Sequence, residues 1–284
     1  MRLALFGNGL DLAHGMPTTY NDFRVWMKAW PQTPAINTLL RQINAANDTP
    51  WTDFETCLTT TLEAAAVREG DNINVFLGLI NSGDHDDLVG YSDPVWTGIE
   101  KTRCLLAKLF ACWAHQLDPD PAEIHPVAYI ETILADVDRI VTFNYTHTLE
   151  LVYGVDPSRI LHIHGDAKSP DDIIFGGPDN QADASTRKER PYELHSKDLN
   201  ASLHGKFVKR PQLDRFDSWT GPSVAEVQTF GFSFGPSDQV YVESLIRHSS
   251  CRTDWRNYYH DERGKRACKT ALAKFRGRLL QWVR

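Results

Sequence analysis

Two polar residues stand where short apolar runs end. Asn144 follows Arg139-Ile140-Val141-Thr142-Phe143, and His164 follows Ile160-Leu161-His162-Ile163. An asparagine amide donates and accepts at once, so it can hold a water and a hydroxyl together. A histidine can take up a proton near neutral pH. Asp-Gly or Pro-Gly would serve for simple chain reversal, so these residues point to chemistry more than to turning. Two further run ends are polar or glycine-rich. Gly7-Asn8-Gly9 follows Leu3 to Phe6, and Ser233-Phe234-Gly235 follows Val227 to Phe232. Structural alternatives stand beside each reading. Asn144 could cap a turn through its own backbone, and His164 could be a core histidine bonded to a carbonyl. His162 is read as core, and His14 as structural.

These side chains need elements that bring run ends together. The opening fifteen residues have the order strand, glycine turn, helix, which is that of a nucleotide-binding crossover. Glycine permits close approach of backbone to phosphate, and a helix N-terminus offers free N–H groups and a positive dipole end. The full fingerprint asks for a third small residue where Leu12 stands, and a tight ligand-free turn is the alternative. From about Asn21 to Gln116 the pattern is helical, with stripes at Phe23, Trp26, Met27 and Trp30, at Trp51, Phe54, Leu58 and Leu62, and from Trp96 to Trp113. Beyond Pro121 strands return, at 139–144, 160–165, 173–178, 227–233 and 254–260. A helix is expected over about 239–248 and a terminal one over 267–283. Residues 179–222 are polar and irregular, with a helix suggested around 193–208.

The predicted fold class is therefore α/β, a Rossmann-like, mostly parallel sheet flanked by helices, with a largely helical insertion after the first strand-helix unit. Residues 1–30 and 117–284 would form the nucleotide-binding domain, and 31–116 a lid or wall. In such sheets ligands sit beyond the carboxyl ends of the strands.

Composition narrows the function classes. The 284 residues are 42% hydrophobic and 24% charged, with a formal net charge of −7. That is ordinary for a globular protein and unlike a general polyanion binder. His204, Lys206, Lys209, Arg210 and Arg215 make one basic stretch, which reads as a solvated loop. Five cysteines, Cys57, Cys104, Cys112, Cys251 and Cys268, form no Cys-x-x-Cys pair. Neither a zinc ribbon nor a redox pair is suggested, and a cytoplasmic location is expected. No apolar stretch is long enough for a membrane span.

Longer stretches carry a resemblance. Gly7-Asn8-Gly9-Leu10-Asp11-Leu12-Ala13-His14-Gly15-Met16-Pro17-Thr18-Thr19-Tyr20-Asn21-Asp22-Phe23 resembles the opening signature of the AbiH abortive-infection proteins of bacteria. So do Trp51-Thr52-Asp53-Phe54-Glu55, Thr142-Phe143-Asn144-Tyr145-Thr146 with Thr148-Leu149-Glu150, and His162-Ile163-His164-Gly165. Gly231-Phe232-Ser233-Phe234-Gly235-Pro236-Ser237-Asp238 is similar to the family's late turn, with Phe232 in place of a usual histidine.

AbiH proteins are in turn distantly similar to the sirtuin-type NAD-binding superfamily. That likeness implies that NAD is the substrate, that Asn144 and His164 flank the nicotinamide ribose, and that the pocket is catalytic. It implies cofactor-binding roles for Gly7, Asn8, Gly9, Asp11, Thr142, Gly165, Gly231, Ser233 and Asp238. Asp11 could instead cap the first helix, and Asp238 a later one. The superfamily often has Asp where Thr146 stands, and its zinc-binding cysteine module is missing, so deacylation is disfavoured. Asp53 and Glu55 read as a solvated face. Cleaving the nicotinamide–ribose bond develops oxocarbenium character on a cationic leaving group, so neither a general acid nor a metal is expected. The expected partner is a nucleotide small molecule, with a phage-derived trigger and a homo-oligomer as further candidates and no membrane. A nucleotide or ADP-ribose sensor without turnover is the alternative, and a nucleic-acid-acting toxin comes third.

Overall fold

The computed structural model describes residues 1–29, 37, 40, 108–166, 168–169, 173–174, 212–221, 223–235, 237–248, 253–259, 262–273 and 278–281. The chain divides into two compact units. One comprises 1–22, 111–174 and 210–284, and the other 23–110 and 175–209. Most of the expected insertion over 31–116 lies outside the described residues, as do Asp53, Glu55 and the stripe around Trp51.

The first unit is built on a six-stranded sheet. Its strands are β1 (Arg2–Phe6), β2 (Arg139–Thr142), β3 (Ile160–His162), β4 (Glu226–Phe230), β5 (Asp254–Tyr258) and β6 (Arg278–Gln281). The spatial order is β3-β2-β1-β4-β5-β6, and every neighbouring pair is parallel. This is the doubly wound order, with its reversal of direction between β1 and β4. A parallel sheet must be covered on both faces, so its central strands read as continuous apolar runs. In β1 Leu3 and Leu5 enter one core and Ala4 and Phe6 the other.

Helices supply the two covers. On the Ala4 face lie α1 (Gly9–Ala13), α3 (Ala128–Asp136) and α4 (Thr148–Leu151), through Leu10, Ile130, Ile133, Leu134 and Leu149. On the Leu3 face lie α5 (Leu213–Thr220), α6 (Gln239–His248) and α7 (Glu262–Ala271), through Phe216, Tyr241, Val242, Leu245 and Cys268. The helix α2 (Tyr20–Ala29) opens on a capping box. The Thr19 N–H donates to Asp22 Oδ2 at 2.9 Å, and the Asp22 N–H donates to Thr19 Oγ1 at 3.2 Å.

Tyr153 ties α1 to the start of α3. Its hydroxyl donates to His14 Nε2 at 2.7 Å and accepts from the Val127 N–H at 3.1 Å, while His14 Nδ1–H donates to the Leu10 carbonyl at 2.8 Å. Burial pushes the Tyr153 hydroxyl up to about 12. His14 is thus structural. Tyr153→Phe is expected to cost about 1–2 kcal/mol by denaturant titration, because a backbone N–H and a ring nitrogen lose their partner. An unchanged midpoint would show that the bridge contributes nothing.

Two expectations are corrected. The terminal helix over 267–283 is not formed as one element, since α7 ends at Ala271 and residues 278–281 pair with β5 as an edge strand. Leu279 and Leu280 are a short apolar pair, and such a pair fits a strand as well as a helix. The expected strand at 173–178 is not seen in its described part. Residues 173–174 are irregular, with the Ile174 N–H donating to the His164 carbonyl at 2.9 Å.

Candidate functional site at the carboxyl edge of the sheet

Parallel pairing puts the carboxyl ends of all strands on one edge. The register aligns Phe6 with Thr142 and with Phe230, and Thr142 with His162. The turns after β1, β2, β3 and β4 therefore meet there.

At the reversal between β1 and β4 the two turns lie backbone to backbone. The Gly7 N–H donates to the Phe230 carbonyl at 3.1 Å and the Gly9 N–H to the Gly231 carbonyl at 3.0 Å. A Cβ on Gly9 would stand 2.3 Å from the Gly231 Cα, and one on Gly7 would stand 2.5 Å from the Gly231 oxygen. The glycines are needed for this approach whether or not a ligand comes. Asn8 donates through Nδ2 to the Thr18 carbonyl at 2.9 Å.

Asp11 is buried just behind this turn. Thr148 Oγ1 donates to its Oδ1 at 2.6 Å and Thr146 Oγ1 to its Oδ2 at 2.7 Å. Both carboxylate oxygens are thus occupied in clamping the β2 turn to α1. Burial is the largest influence on this carboxyl and pushes it above its ordinary range. The two threonine hydroxyls and His14 offset that only in part.

Asn144 and His164 are both buried, at 5% and 1% exposure. The Asn144 N–H donates to Thr142 Oγ1 at 3.2 Å, which gives Thr142 a turn-forming part. Among the described residues the Asn144 amide nitrogen has no hydrogen-bond partner. His164 Nε2 stands 3.4 Å from Asp238 Oδ1, and its ring meets Phe143 edge-on at 5.3 Å. Asp238 therefore belongs with His164. Ser233 is exposed and accepts from the Gly235 N–H at 3.3 Å. Gly165 lines a cavity of about 480 Å³ together with His162, Asp166, Ile174, Gln212 and Arg215.

His162, read from sequence as core, is one wall of that cavity. Its Nε2 lies 2.8 Å from Glu150 Oε1 and its Nδ1 3.3 Å from the Asn144 carbonyl. The His147 ring is 5.3 Å from the His162 ring. His147 Nδ1 lies 2.9 Å from Asp118 Oδ2, and its Nε2 3.6 Å from Asp166 Oδ1. Burial is the largest influence on His147 and opposes its charge. The hydrogen bond and charge of Asp118 outweigh it, so His147 sits above the usual histidine range. Burial likewise opposes the Asp118 charge, and the bonds from His147 outweigh it, so Asp118 sits below the usual carboxylate range. Sequence reasoning missed His147, Glu150, Asp118 and Asp166. One signal was readable: His147-x-x-Glu150 shares a helix face at α4, on the heels of Asn144.

A doubly wound parallel sheet with buried polar side chains gathered at its carboxyl edge defines a Rossmann-like α/β protein. Within that class its family is specific. Residues 3–259 match the family model described as Bacteriophage abortive infection AbiH, and the chain belongs to that family. Its role accordingly falls in abortive-infection defence against phage. No curated protein and no solved structure matches the chain. Among the described residues no helix is long and apolar enough to cross a membrane.

Proposed function

We propose that the chain hydrolyses the nicotinamide–ribose bond of NAD as its contribution to abortive infection. The observation that carries this reading is the Asn144 amide nitrogen, buried without a partner among the described residues and next in the chain to Phe143, whose ring meets that of His164 in the His164–Asp238 pair. A buried donor left unmade costs about 1–3 kcal/mol, and such a cost is tolerated where a ligand supplies the acceptor.

In this reading a ribose hydroxyl or the attacking water accepts from Asn144. The bond between nicotinamide nitrogen and anomeric carbon breaks with its electron pair leaving on nitrogen, so the pyridinium becomes neutral nicotinamide. Water adds to the oxocarbenium carbon, and its proton passes to His164. Asp238 steadies the imidazolium that results. The products are nicotinamide, ADP-ribose and a proton. Gly165, next to His164 in the chain, lines the cavity, and in this reading the substrate's ribose end enters from that side.

Purified protein incubated with NAD, with and without phage lysate, should release nicotinamide on chromatography. His164→Ala should reduce turnover by about 10²–10⁴-fold, the range of a general base, and Asn144→Ala should impair it too. Tight NAD binding without nicotinamide release would favour a sensor. Absence of both binding and release under every condition would sink the reading.

A further inference from the structure

NAD cleavage as drawn makes no use of His147, Glu150 and His162. Their ligand atoms all lie within 4.8 Å of one another. Donors around one zinc ion stand ~3–4 Å apart, so shifts below about an ångström would bring the three to bonding distance.

With both rings neutral, the hydrogen-bond count around them leaves carboxylate oxygens without donors. A neutral imidazole carries one N–H. His147 faces Asp118 Oδ2 from Nδ1 and Asp166 Oδ1 from Nε2, at 2.9 and 3.6 Å. His162 faces the Asn144 carbonyl from Nδ1 and Glu150 Oε1 from Nε2, at 3.3 and 2.8 Å. With each Nδ1–H given to its oxygen, both Nε2 lone pairs confront carboxylates. Glu150 Oε2 is buried with no hydrogen-bond partner among the described residues. Two imidazole nitrogens and a carboxylate oxygen within 4.8 Å of one another are a metal's ligand set, and the Nδ1 contacts are the outer partners that orient such ligands.

We propose that His147, Glu150 and His162 bind one divalent transition-metal ion of the zinc class, with Asp118 and the Asn144 carbonyl fixing the two rings. Asp166, with Oδ1 3.6 Å from His147 Nε2, offers a further donor beside the three. His162 and Asp166 also line the 480 Å³ cavity, so the ion is within reach of a ligand there. Arg215, on the same cavity wall, supplies a positive partner for an anion. The ligand class is thus an anionic group, such as a phosphate, held between metal and guanidinium. The site departs from the expectation of metal-free chemistry and does not depend on NAD turnover.

The full chain, stripped with a chelator, is titrated with Zn²⁺ by calorimetry, and bound metal is counted by mass spectrometry. One ion per chain is expected, with affinity at least about 100-fold weaker in Glu150→Gln and in His162→Gln. His14→Gln, outside the cluster, should bind as the wild type does. Co²⁺ should give absorption bands of nitrogen and oxygen ligands without a thiolate charge-transfer band. Should His162→Gln not fold, Glu150→Gln decides, since it keeps the side-chain volume. Absence of stoichiometric Zn²⁺ binding, binding that survives Glu150→Gln, or a thiolate band each overturns the site.

Discussion

Gly231→Ala is expected to destabilise the first unit by about 4 kcal/mol, which is exceptional for one methyl group. Two costs add. Gly231 has φ +59°, in the left-handed region, where a Cβ costs about 1–2 kcal/mol. Its Cβ would also stand 2.4 Å from the Gly9 Cα and 2.7 Å from the Gly9 nitrogen. Those are backbone atoms in the turn leaving the central strand, so relief requires β1 and β4 to separate at the switch point. Overpacking of this kind costs a further 1–3 kcal/mol or so. Gly154→Ala is the control. It shares the left-handed conformation, with φ +62°, but its Cβ would meet nothing within 4 Å. Only the conformational cost applies there, about 1–2 kcal/mol. Equal losses for the two variants by thermal or denaturant unfolding would refute the backbone-contact account.

The second large effect is expected at Asp11. Asp11→Ala leaves the hydroxyls of Thr146 and Thr148 buried without their acceptor, at a cost of about 3 kcal/mol. The pH dependence separates the carboxyl's charge from its shape. Burial raises the folded-state pKa above the ordinary 3.8, so folding takes up a proton between those two values. The protonated carboxyl's stabilisation is complete below 3.8 and is lost as pH rises through the folded-state pKa. Asp11→Asn keeps the shape and cannot titrate. The stability of the wild type relative to Asp11→Asn should therefore be greatest at acid pH and decline as pH rises above about 4. A difference that is flat or grows with pH would contradict a raised pKa.

Much of the fold was legible because its signals are local. Apolar runs ended by polar or glycine-rich turns mark the strands of a covered parallel sheet, and four of them, at β1, β2, β3 and β4, carry the edge where the polar residues collect. The helix expected over 239–248 is α6 with those bounds. The misreading at the chain's end has the same root. A four-residue edge strand is too short to express a period, so its apolar pair was absorbed into the helix before it.

The site was legible only in part. Asn144 and His164 stood out because each interrupts an apolar run. Asp238 was read as a cap or a cofactor contact, and nothing along the chain links it to His164, 74 residues earlier by their numbers. Asp11 likewise left two roles open until Thr146 and Thr148 were seen on its two oxygens. His162 was assigned to the core, although alternation puts residues two apart, such as His162 and His164, on one face of a strand. That rule gives the face of the sheet, yet at the last residue of a strand a side chain can reach past the edge to the cavity, as His162 does toward Glu150.

By itself, then, the amino-acid sequence determined the α/β class, the edge at which polar residues gather, and the family, all of which are written in neighbouring residues. The tertiary structure alone decided the strand order, the backbone contact of Gly9 with Gly231, and the pairing of His147 and His162 with carboxylates. Those contacts join segments far apart in the chain. Their partners are chosen by the packing of two cores against one sheet, which no local pattern records.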